Sequence, residues 1–143
     1  MNKDDQKILK DVQKNTDMAL NSIETLSEKV TDDELLHEIS KQRLLYSTIY
    51  NKAANRLQNE KADGYHKSII EETMLKGAIH INTLANCSTS KIAELMIQGS
   101  NRGLTSMWKS INNNKNSSAM SMEVAKELMD FEEKCIGKLK RFL

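Results

Sequence analysis

The chain reads as an all-α protein, a bundle of four long helices with a shorter helix in the connection between the second and third. Three observations predict this. Its 143 residues contain no proline and only five glycines, whereas a β-rich fold of this length spends both on its many turns. Apolar residues recur at steps of three and four through most of the chain, the period of a helix with one buried stripe. The segments between these runs are short, polar and rich in capping residues.

The first helix is expected over about 3–29. Its stripe is Ile8, Leu9, Val12, Ala19, Leu20, Ile23, Leu26 and Val30, interrupted at Asn15 and Thr16. Thr31 is the expected N-cap of the second helix. Asp32, Asp33 and Glu34 follow where carboxylates favour the helix dipole, and Thr31 with Glu34 matches a capping box. Its stripe runs through Leu35, Leu36, Ile39, Tyr46, Ile49, Tyr50, Ala53 and Leu57 to about Glu60. So short a link makes the first two helices antiparallel.

Ala62, Asp63 and Gly64 break the pattern, and a shorter helix is expected over about 67–86. Ser88 or Thr89 then caps a helix over about 90–112, with Ile92, Leu95, Met96, Gly99, Gly103, Met107 and Ile111 facing inward. The polar run 112–118 is a loop. The last helix is expected over 119–142 on Met122, Val124, Ala125, Leu128, Phe131, Cys135, Ile136, Leu139 and Phe142. A helix of about 25 residues is roughly 37 Å long at 1.5 Å per residue. Four such rods fit one bundle and one domain over 1–143. A single long crossover between the second and third is the ferritin-like connection. A five-helix array is the competing arrangement.

Composition excludes several functions. Lys plus Arg is 21 against 20 Asp plus Glu, without the basic excess of a nucleic-acid binder. The basic residues Lys134, Lys138, Lys140 and Arg141 complement the dipole of a helix C-terminus. No apolar run approaches the roughly 20 residues needed to span a bilayer. Two cysteines, Cys87 and Cys135, in no ligand spacing, and a charged start without an apolar segment fit the cytoplasm.

Candidate chemistry is sought among inward polar positions, because buried polar groups without partners cost free energy. At about 100° per residue, Thr16 falls in the first stripe, Arg43 in the second with Gln42 at its edge, and Glu132 in the last. The third long helix offers Gly99 and Gly103. These positions are near mid-helix and share one level. The leading expectation is a buried Arg43–Glu132 pair assisted by Gln42 and Thr16, which fixes register. A polar pocket for a small anionic ligand is the functional alternative, and a third reading has one or both side chains reaching solvent.

Di-metal chemistry is poorly served. A bundle-core site takes one Glu from each of two helices and Glu-x-x-His from each of the other two. The one such spacing here, Glu34 and His37, projects away from Leu35 and Ile39. His66 and His80 lack ligand spacing, Cys135 sits in an apolar stripe, and Cys87 reads as an inert loop thiol. No metal, cofactor or catalytic residue is expected.

Helix order, the short crossover helix, the Gln42-Arg43 dipeptide after Ile39 and Gly99 within the third long helix together resemble an uncharacterised bacterial family of ferritin-like four-helix bundles. The resemblance spans nearly the whole chain. It implies the fold and a homo-oligomer, but no reaction. Members of the wider ferritin-like group often carry a Glu early in the first helix, where this chain has Thr16. They often carry another after the glycine matching Gly99, where it has Ser100, and no His follows Glu132 at three residues. The expected function is therefore a non-enzymatic, self-associating bundle without a di-metal site, with Trp108 and Tyr65 as interface residues. Two rivals remain. One is a metal-binding or redox bundle using Glu132, Asp17, Glu24 and a histidine. The other is a signalling or chaperone bundle with His80 as its phosphotransfer candidate.

Overall fold

The computed structural model describes residues 1–65 and 85–143. These form four long helices, α1 (Lys3–Ser27), α2 (Asp33–Asn59), α3 (Thr89–Asn113) and α4 (Ala119–Leu139), and a closing 3-10 turn at Lys140–Phe142. The helix expected over 67–86 falls almost wholly outside the described residues.

Each helix begins on a side-chain cap. Asn2 and Asp5 form a reciprocal capping box at α1. Asp32 accepts from the Leu35 N–H at 2.8 Å, so the cap of α2 lies one residue beyond Thr31. Both residue types cap well, and the carboxylate adds its charge to the helix dipole. Ser88 and Ser118 start α3 and α4. The end of α2 is a Schellman turn. Ala62 N–H bonds to the Leu57 carbonyl and Lys61 N–H to that of Gln58, with Lys61 left-handed at φ 54° where glycine is usual.

Neighbouring helices are antiparallel. Along α1 and α3, the Ser110 hydroxyl bonds to Asp11 and the Asn15 amide to Ser106. Along α2 and α4, Lys52 pairs with Glu127 at 2.7 Å, and Arg141 just beyond α4 meets Glu34. These pairs place the end of α2 beside the start of α1, and the start of α3 at the opposite end of the bundle. The core is a continuous aliphatic stack. Ile8, Leu9, Leu26, Leu35, Ile39, Leu57, Ile92, Met107, Leu128 and Leu139 are its largest fully buried side chains. Burying each is worth about 1.5–3 kcal/mol, so this stack sets the faces the helices present inward. Among the described residues, no helix is long and apolar enough to cross a membrane.

The rim where α1 starts is clipped to the α3–α4 loop. Asp5 accepts from the backbone N–H of Ser118 at 2.6 Å and of Asn2 at 3.1 Å. The Asn2 amide reaches the Asn116 carbonyl, and Asp4 accepts from the Asn116 N–H. At the same end, the segment after α2 folds back so that the Tyr65 N–H bonds to the buried Gln13 amide oxygen at 2.9 Å.

Candidate functional site

A cavity of about 400 Å³ lies between α1 and α3 and reaches down to α2 and α4. Met18, Ile23 and Leu26 from α1 and Leu95 and Met96 from α3 make its walls largely apolar. Its floor is polar, with Gln42 and Tyr46 from α2, Ser100 and Gly103 from α3, and Glu132 from α4. Lys14 and Arg102 stand at its rim.

Glu132 is 3% exposed. The Tyr46 hydroxyl donates to its Oε2 at 3.3 Å, and Oε1 is buried with no hydrogen-bond partner among the described residues. Burial raises the Glu132 carboxyl to about 8, opposed by the Tyr46 hydrogen bond, because a charge is costly away from water. At pH 7 it is mostly a neutral acid.

Gly103 makes room for this carboxyl. A Cβ at Gly103 would lie 2.8 Å from Glu132 Cδ, well inside van der Waals contact. Tyr46 is oriented by an edge-to-face contact with Phe131, with ring centroids 4.7 Å apart at 79°. Its hydroxyl also lies 3.5 Å from the Ser100 hydroxyl. Burial first, and then the nearness of Glu132 and Cys135, push the Tyr46 phenol far above its usual range. Burial likewise pushes the Cys135 thiol up to about 12, reinforced by Glu132 and Glu38. Neither group is a nucleophile at neutral pH.

The four sequence-predicted residues separate. Glu132 and Gln42 line the cavity together. Thr16 is fully buried, but its hydroxyl bonds to the carbonyls of Val12 and Gln13 in its own helix. Arg43 is exposed, so the Arg43–Glu132 pair does not form, and Tyr46 is the donor to Glu132 instead. The physical reason is the rotation of α2. Counting Leu36 and Tyr50 into the stripe turns the inward face towards Arg43. In the fold Leu36 is exposed and Tyr50 only half-buried, and the buried line runs through Leu35, Glu38, Gln42, Tyr46 and Ile49. Gly99 is likewise exposed beside the cavity rather than facing inward, whereas Gly103 is buried.

The same rotation brings in residues that sequence reasoning missed. Glu38 is 6% exposed and accepts from the Gln42 amide at 3.2 Å, so the interior holds a second carboxyl. Its signal was its spacing, one turn before Gln42 and two before Tyr46. Tyr46 falls in the packing stripe and Ser100 where the ferritin-like pattern has a Glu, yet Tyr46 donates to Glu132 and Ser100 lies beside the Tyr46 hydroxyl. His37 is exposed at the start of α2, while His66 and His80 lie outside the described residues. Among the described residues, no group of three or more His, Cys, Asp or Glu is placed to hold a metal ion. Compared with known proteins, the chain matches no family model, no curated protein and no solved structure.

Proposed function

We propose that this chain is a ferritin-like helical bundle acting as a non-enzymatic binding module, which holds a small organic molecule in the cavity between α1 and α3. One observation carries the reading. A carboxyl oxygen of Glu132, buried and without a partner among the described residues, stands in the wall of a cavity of about 400 Å³. An unsatisfied buried polar atom costs about 1–3 kcal/mol. A largely apolar cavity with a few convergent polar groups is the usual form of a ligand site. The ferritin-like part of the reading rests on helix order and on α2 ending at one end of the bundle while α3 starts at the other.

The chemistry favours binding over turnover. Acid–base catalysis commonly pairs titrating groups whose environments push them apart around neutral pH. Here Glu132 titrates near 8, while Tyr46 and Cys135 stay protonated throughout that range. Of the groups with a raised carboxyl, phenol or thiol, Glu132 alone titrates near neutral pH, and the rest of the floor offers fixed hydrogen-bonding groups.

Thermal melting with a set of short-chain amphiphiles tests this. Gly99 borders the cavity, and a Cβ there meets nothing within 4 Å. Gly99→Trp therefore sets a bulky ring at the border of the cavity with no clash at its Cβ, to obstruct entry. Saturating ligand should raise the wild-type melting temperature by several degrees and leave that of Gly99→Trp unmoved. Equal responses in both, or none in the wild type, would sink the proposal.

Self-association is a second reading, favoured by Leu44 and Leu45, adjacent on α2 and 70% and 49% exposed. Trp108 is also exposed, whereas Tyr65 is half-buried. Light scattering showing only monomer at working concentration would remove it.

A further inference from the structure

The cavity has a directional lining. Glu132, Tyr46 and Ser100 sit at its polar floor, near the level of Met18 and Ala19 on α1, with Met18 opposite Gly103 on α3 by the pairing of Asp11 with Ser110 and Asn15 with Ser106. Ile23, Leu26, Leu95 and Met96 supply an apolar stretch of lining away from Glu132, with Ser22 and Gln98 beside them. About 10 Å of helix rise separates Ala19 from Leu26 at 1.5 Å per residue. The shape suits a molecule with one polar head and a short hydrocarbon tail.

Charge balance selects the head. Glu132 and Glu38 are both buried, and none of the described lysines, arginines or histidines is. The groups around Glu132 are Glu38 and Tyr46 on α2, Cys135 on α4, Lys14 at the α1 rim and Arg102 at the α3 rim. The interior thus holds acids and weak hydroxyl or thiol donors. The cations lie at the mouth, where solvent weakens their effect on the floor. Among the described residues, once Glu132 is ionised, its Oε1 lacks a donor and the floor lacks a positive charge to balance it.

We propose that the cavity takes an amphipathic organic amine, its ammonium group against the Glu132 carboxylate and its hydrocarbon tail against Ile23, Leu26, Leu95 and Met96. This rests on the ligand-binding reading above and gives the ligand its chemical class. Binding is then coupled to a proton. The empty site holds a protonated carboxyl below about pH 8, and an ammonium ion requires the carboxylate. The amine therefore displaces up to about one proton near pH 7. Its apparent affinity rises about tenfold per pH unit from pH 6 towards 8 and then levels off.

Octylamine, octanoate and 1-octanol, titrated calorimetrically in phosphate and in HEPES between pH 6 and 9, test the inference. The expected result is tightest binding of octylamine, proton release near pH 7 and the stated rise with pH. Glu132→Gln should lose the pH slope and at least tenfold in octylamine affinity while binding 1-octanol as before. Tighter binding of octanoate with proton uptake, equal binding of all three at every pH, or an octylamine affinity unchanged in Glu132→Gln would overturn the amine and leave the cavity as a ligand site. Binding of none of the three would overturn the ligand site itself. Should Glu132→Gln fail to fold, as circular dichroism would reveal, the two-buffer proton count on the wild type decides alone.

Discussion

Asp5, at the rim of the bundle, and Glu132, at its waist, are both nearly inaccessible to water, yet their carboxyls are pushed in opposite directions. Burial acts to raise both. At Asp5 the backbone N–H groups of Ser118 and Asn2 outweigh it and hold the carboxyl near 2. At Glu132 a lone hydroxyl donor cannot, and the carboxyl rises to about 8. Helix ends explain the contrast. The first turns of α1 and α4 present free N–H groups that need an acceptor, whereas at mid-helix every backbone N–H is already spent within its own helix. A carboxyl at the rim closes a structure, and one at the waist is left for something else to complete.

The largest expected effect comes from removing the charge at the waist. The folded Glu132 carboxyl titrates above its unfolded value. Stability is therefore fully present below about pH 4.5 and is lost as pH rises through about 8. Glu132→Gln should stabilise the protein at pH 9 by about 3–5 kcal/mol, with little effect at pH 4. Chemical denaturation at the two pH values reads the difference, and equal midpoint shifts would break the comparison.

At the rim the sign reverses. The depressed Asp5 carboxyl contributes stability that is full above about pH 4 and lost as pH falls through about 2. Asp5→Ala should cost about 2 kcal/mol at pH 7, and almost nothing at pH 2. A cost of the same size at pH 2 would mean that the N–H bonds do not set the ionisation.

Two glycines sharpen the contrast further. Gly103→Ala drives a methyl group into the Glu132 carboxyl and should cost about 1–2 kcal/mol, with the carboxyl moved towards the cavity and water. Its titration, followed by NMR, should then fall below 8, and no movement would show that Gly103 is not what seats it. Gly99→Ala, four residues away, meets open space and should gain about 0.5–1 kcal/mol from helix propensity alone. Thermal melts of the pair should move in opposite directions.

Much of the scaffold was legible in advance. The starts of α3 and α4 follow from the capping pair Ser88 and Thr89 and from the polar 112–118 run, because caps and loops act locally, and the structure adds Ser118 as the cap of α4. The α2 cap was misplaced by one residue because Thr31 and Asp32 are both good caps and adjacent. The face of α2 was harder to read. Leu36, Leu44 and Leu45 are exposed while Glu38 and Gln42 are buried, so hydrophobicity pointed the stripe towards Arg43. A rotation of this helix about its own axis, too small to disturb the helix itself, puts Glu38 rather than Arg43 in the core, while Tyr46 stays inward as its place in the stripe predicts.

What the sequence determined by itself was therefore the helical class, the boundaries of the four described long helices to within a few residues, the antiparallel α1–α2 hairpin and the burial of Glu132. Each depends on periodicity, caps or loop length, which act within one turn or one short link. The tertiary structure alone decided that Tyr46 meets both Glu132 and Ser100, that Glu38 joins Glu132 in the interior, and that Gly103 opposite seats the carboxyl beside a cavity. Those outcomes depend on the rotation of each rod against its neighbours, which is settled by the joint packing of four apolar faces and is written in no single one of them.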